Sequence, residues 1–216
     1  MAFVDLLLIG AGLLLSLASA LVSINEYQPF GATPPLAGIL AALGIAMLSV
    51  FTLRNGRRSD YINFAVLILF IAFGRLLLAA DFTFARLVLA LAHIAGLAFY
   101  ARHGRKRRGM SQIAFGIALV VLPPLIVWLS TTEMLIVLYV AGLGALASAS
   151  WLSRFPRYPN GLGILCYCAA DTILLAGKDA AFMTPIMDEG LAILLFLGLL
   201  AASIAVVRVF RSEDPR

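Results

Sequence analysis

Gly163-Ile-Leu-Cys-Tyr-Cys-Ala-Ala-Asp171-Thr-Ile-Leu-Leu-Ala176 is an apolar run interrupted by one carboxylate near its C-terminal third. A charged side chain in hydrocarbon costs roughly 2.5–3.5 kcal/mol on insertion scales, so Asp171 calls for a partner or a purpose. The best candidate is Arg75, a basic residue inside another apolar run. The rest of the chain has the same character: 62% of residues are hydrophobic, 12% are charged, and the mean hydropathy is +1.02. Soluble domains sit near 45–50% apolar and about 25% charged, so composition excludes an ordinary soluble domain.

The expected fold is all-α: a polytopic membrane bundle of eight transmembrane helices, forming one domain over residues 1–216. Apolar stretches near the ~20 residues that cross hydrocarbon fall at about 3–22, 34–53, 61–80, 84–101, 110–129, 134–152, 160–176 and 185–207. The separators are short and carry turn or charge signals, such as Arg54-Asn-Gly-Arg-Arg58 and Arg102-His-Gly-Arg-Lys-Arg-Arg108. Loops this short make successive helices antiparallel. Met1-Ala-Phe-Val-Asp5 lacks a positive n-region, so the first run reads as a retained span.

Charge tests the count. With eight spans, thirteen of the sixteen basic residues fall on the side of the termini: Arg54, Arg57, Arg58, Arg102, Arg105, Lys106, Arg107, Arg108, Arg154, Arg157, Arg208, Arg211 and Arg216. Arg86 and Lys178 take the other side and Arg75 lies within span three. The positive-inside rule then makes both termini cytoplasmic. The net charge of +5 is therefore read as topology, and no nucleic-acid partner is expected. The Arg102–Arg108 cluster is also suited to anionic lipid heads, at about 1 kcal/mol per basic residue. Glu26, Asp81, Glu133, Asp179, Asp188 and Glu189 read as outer-face loop charges.

Spans three and seven run the same way. Arg75 and Asp171 each lie about five residues from the outer end of their span, some 7–8 Å deep, and so share one layer. They are expected to pair, either as a clasp between helices or as the lining of a polar cavity in which Arg75 grips a phosphate or carboxylate. His93, mid-span four, reads as a packing histidine or a proton carrier. Asn63, Thr172, Tyr139 and Tyr167 offer internal hydrogen bonds. Pro123-Pro124 is expected to bend span five, and Gly142/Leu146 with Gly144/Ser148 to give span six a close-packing face. Cys166 and Cys168, two apart, point to different sides of a helix and read as packing residues, not as a disulfide or metal pair. Spans five to eight faintly echo one to four. Neither a nucleotide loop nor HExxH, CxxC or a nucleophile elbow occurs, and no cofactor or metal is expected.

The chain resembles the YhhN, or lysoplasmalogenase, family of integral membrane proteins. Leu69-Phe-Ile-Ala-Phe-Gly74-Arg75-Leu-Leu-Leu78 looks like its GD segment. Ala90-Leu-Ala-His93-Ile-Ala-Gly-Leu-Ala-Phe99 follows at the spacing of its histidine segment, and Gly161–Ala176 looks like its SD segment. Leu138-Tyr139-Val140 and Thr33-Pro-Pro35 resemble its span-six and span-two signatures. The resemblance implies hydrolysis of the vinyl-ether bond of a lysoplasmalogen. An acid protonates the alkene carbon, and a carboxylate stabilises the oxocarbenium-like centre or activates water.

Here the second acid is kept as Asp171, while Arg75 stands where the first is found. Pro34 replaces a lysine, and Gly96 an aromatic. An arginine beside Asp171 favours its charged form, against a role as proton donor. Two readings stay open. One is an ether-lysolipid hydrolase of the bacterial inner membrane with Asp171 and His93 catalytic and Arg75, Tyr139 and Tyr167 binding substrate. The other is a catalytically silent relative that binds an amphiphile or a membrane partner, with Arg75–Asp171 as a structural ion pair. A small-solute transporter is a third, weaker alternative.

Overall fold

A computed structural model describes residues 3–25, 35–56, 59–80, 82, 84–107, 109–130, 133–176 and 185–213. Among these residues the fold is all-helical: α1 (Phe3–Asn25), α2 (Pro35–Arg54), α3 (Ser59–Ala79), α4 (Ala85–Arg102), α5 (Met110–Ser130), α6 (Met134–Trp151), α7 (Leu162–Ala176) and α8 (Pro185–Glu213). Seven of them, α7 excepted, are long and apolar enough to cross a membrane. Their outer faces carry large apolar side chains such as Leu14, Leu87, Ile94, Leu122 and Leu135, each more than half exposed. A soluble monomer rarely shows so continuous an apolar surface.

Span seven departs from its expected form. α7 has 15 residues, fewer than the ~20 that cross hydrocarbon. A π-helical turn, Arg157–Gly161, precedes it without a break. Arg157, Tyr158 and Pro159 read as loop in the sequence, yet here they belong to that wider turn, together with Asn160 and Gly161 from the start of the expected span. Pi turns are rare and are frequent at functional sites.

Successive packing closes a circuit, α1–α2–α3–α4–α6–α7–α8 and back to α1. α5 stands outside it against α6, which leaves most of its surface exposed. Its helix continues through Pro123 and Pro124. Side-chain hydroxyls stitch neighbours where the backbones come close: Ser19 Oγ donates to Ala37 O (2.7 Å) and Ser49 Oγ to Ala65 O (2.8 Å). Small-residue contacts bring other pairs together. A Cβ added at Gly198 would lie 2.4 Å from Gly163 O, and one at Gly144 would lie 2.3 Å from Leu119 O. Gly142 has open space beside it, so the expected packing face of span six runs through Gly144 and not through Gly142.

One end of the bundle gathers the basic loops. Asp5, buried at the start of α1, accepts from Asn55 Nδ2 (3.1 Å) and faces Arg54 (3.6 Å) and Arg211 (3.4 Å), joining α1, α2 and α8. The loop after α4 pairs with the loop after α6, Arg154 N donating to His103 O at 2.8 Å and Arg105 N to Leu152 O at 3.1 Å. Phe99 and Phe155 stack beneath, 5.7 Å apart and nearly parallel, and Phe210 meets both rings edge-on. This aromatic layer closes the end of the core.

Candidate functional site

The site lies inside the circuit, in the half of the bundle away from the basic loops. α3 places Arg75 four residues before its end at Ala79, and α7 places Asp171 five before Ala176. Arg75 Nη2 is bonded to Asp171 Oδ1, with the carboxylate side chain 3% exposed and the guanidinium 15%. The expected pair is therefore present. It differs from a clasp of adjoining helices, because α3 and α7 are not closely packed. The long arginine side chain crosses the interior to reach the acid.

Tyr139 of α6 donates its hydroxyl to Asp171 Oδ2 at 2.6 Å. Both carboxylate oxygens thus accept, and the acid is oriented from two sides. His93 of α4 makes no hydrogen bond to Asp171. Its Nε2 lies 2.7 Å from the Tyr167 hydroxyl, and its ring meets Tyr139 edge-on at 5.1 Å between centroids. The five expected residues therefore form one chain of contacts: Arg75, Asp171, Tyr139, His93, Tyr167. Asn63 is exposed, and Thr172 Oγ1 bonds Cys168 O within its own helix (2.8 Å), so neither joins the site.

One buried polar residue, Ser16, was absent from the expected set. Ser16 Oγ and Arg75 Nε are buried, as is His93 Nδ1, and none has a hydrogen-bond partner among the described residues. Ser16 and Arg75 line one cavity of about 50 Å³, together with Ala41, Ile45, Leu174 and Ala192. A water needs only about 10–15 Å³ on that measure, so the cavity admits a small polar group and no lipid head.

Glu189, which the sequence offers with Asp81 and Asp188 as a substitute acid nearer the surface, is only 7% exposed. The α7–α8 crossing at Gly163 and Gly198 explains its position. Counting outward by equal steps from that crossing brings α7 to Asp171 and α8 to Gly190, next to Glu189. Glu189 also shares a helix face with Ala192 and Phe196, which line the cavity. Burial at this level removes it from the solvated outer charges. Glu133, by contrast, is exposed and lies 3.9 Å from Arg86. Glu26, Asp81 and Asp179 lie outside the described residues, as does the side chain of Asp188.

A second cavity, of about 310 Å³, is a lateral groove between α5, α6 and α7. Leu122, Pro123, Ile126, Leu143, Cys168 and Thr172 are among its walls, which are almost wholly apolar. Leu143 lies one turn from Tyr139, and Thr172 directly follows Asp171, so polar site and groove share α6 and α7.

Chemically, Asp171 is arranged as an acceptor. Held by a guanidinium and a phenol, it can orient a cation-like centre or a donor. No known protein family, no curated protein and no solved structure matches the chain.

Proposed function

We propose that the chain is a YhhN-like integral membrane protein of the bacterial inner membrane, with both termini cytoplasmic, that holds a single-chain amphiphile such as a lysolipid. The observation that carries this reading is the apolar groove beside the polar site. At about 310 Å³ it falls within the roughly 300–1,000 Å³ of ligand pockets. Its walls suit an acyl chain, and α6 and α7 carry Tyr139 and Asp171 one turn or less from it. In this reading Arg75–Asp171 is first a structural ion pair. Native mass spectrometry of the purified protein with a lysolipid tests it. Ala147 also lines the groove; narrowing it by Ala147→Phe is expected to abolish retention of the lipid, and undiminished retention would overturn the proposal.

Hydrolysis is the second reading, and Glu189 is the observation that favours it. Vinyl-ether cleavage needs an acid to protonate the alkene carbon and a base to stabilise the cationic centre or activate water. Arg75 removes the first family acid, and Asp171 is occupied as an acceptor. Glu189, buried at the same level, is the carboxyl able to serve as the acid, with Asp171 as stabiliser. Incubation with a 1-alkenyl lysophospholipid should then release fatty aldehyde. Glu189→Gln and Asp171→Asn should each lower the rate by at least about 100-fold. Aldehyde release surviving Glu189→Gln would eliminate this assignment.

A further inference from the structure

A third cavity, of about 280 Å³, opens between α2 and α8 at the basic end and is lined by Phe51, Ile204, Val207, Arg208 and Arg211. Its chemistry is graded along α8. Ile204 and Val207 lie one turn deeper than Arg208 and Arg211 respectively, so each arginine stands above an aliphatic side chain on the same face. Three guanidiniums, those of Arg54, Arg208 and Arg211, surround this corner. Asp5 faces two of them, Arg54 at 3.6 Å and Arg211 at 3.4 Å. Arg208 has no ion-pair or hydrogen-bond partner among the described residues and is exposed. The corner therefore carries excess positive charge above an apolar floor.

We propose that this cavity binds the head of an anionic phospholipid of the surrounding leaflet. The phosphate would sit on Arg208 and Arg211, and the first carbons of a chain would pass along Ile204 and Val207. A basic pocket between membrane helices is the setting in which such heads are bound. The guanidinium fork matches phosphate oxygens in pairs. The apolar floor distinguishes a lipid from a free anion, because inorganic phosphate gains nothing from Phe51, Ile204 or Val207. This site lies at the opposite end of the bundle from Arg75–Asp171 and does not depend on the lysolipid reading.

The test uses the full chain, purified and delipidated, titrated with phosphatidylglycerol or with phosphatidylcholine of the same acyl chains and read by native mass spectrometry. Phosphatidylglycerol should be retained in preference, and Arg208→Gln should weaken it about fivefold while leaving phosphatidylcholine retention unchanged. Arg208→Lys should keep part of the preference, since it keeps the charge but loses the fork. Arg102→Gln, on the other basic cluster, should have little effect. Equal loss in Arg102→Gln and Arg208→Gln would overturn the proposal, as it would show only a generally basic face. No loss in Arg208→Gln would also overturn it, as would displacement of the lipid by a molar excess of inorganic phosphate.

Discussion

Asp171 is a single acid with three possible fates in hydrocarbon: neutralisation, pairing or exposure to a water-filled space. Its two bonds, from Arg75 and from the Tyr139 hydroxyl, settle on pairing. Breaking a buried pair from one side strands the other charge, whereas replacing both partners with apolar groups strands neither. Arg75→Met and Asp171→Leu alone should therefore each lower unfolding free energy by about 3–5 kcal/mol. The double variant should recover most of that loss. Thermal unfolding in detergent micelles, run as a double-mutant cycle, measures the difference, and additive losses would contradict the pairing. Tyr139→Phe should cost about 1.5–3 kcal/mol, the range for a bond to a charged acceptor. At this scale the sequence was informative because depth can be counted. Arg75 and Asp171 stand at matching distances from their helix ends, and a long guanidinium side chain spans the remaining gap. Ser16 carried no such signal, since a serine in a Leu/Ala-rich helix usually bonds its own backbone.

Helices were legible from the lengths of apolar runs, and seven of the eight behave as those lengths suggest. α7 was harder to read because Tyr158-Pro159-Asn160-Gly161 combines residues that usually break a helix, whereas here they form the π-helical turn leading into it. Its contact with α8 depends on two glycines whose role only the three-dimensional crossing reveals. A methyl group at Gly198 would meet the Gly163 carbonyl at 2.4 Å, a backbone atom that cannot rotate away. Gly198→Ala should cost about 1–3 kcal/mol through overpacking and should shift Glu189 relative to Asp171. Gly142→Ala, with open space beside it, should be neutral or slightly stabilising through helix propensity. Melting temperatures of the two variants, compared side by side, check the contrast; equal effects would mean that the close α7–α8 approach does not limit packing. The burial of Glu189 follows from the same crossing, which has no signal in the sequence, where an acid four residues from the start of α8 reads as a surface charge.

For the whole molecule, charge segregation predicted the ends of the helices better than it could predict their neighbours. The contacts of α1 with α8 and of α4 with α6, which close the circuit, join segments with no local sequence signal. In the proposed orientation, the end that gathers Arg54, Arg102, Arg154 and Arg211 is the cytoplasmic one. A fluorescent protein fused after Arg216 should therefore glow in cells, and alkaline phosphatase fused there should be inactive. The opposite pair of results would reverse the proposed orientation.

Asp5, at the start of α1, holds Arg211, near the finish of α8. The molecule is thus almost a closed loop, with its first and last helices already touching. A short glycine-serine bridge could join them and the chain be reopened between α4 and α5. Every helix would keep its direction and its neighbours, so a permuted gene should encode the same architecture.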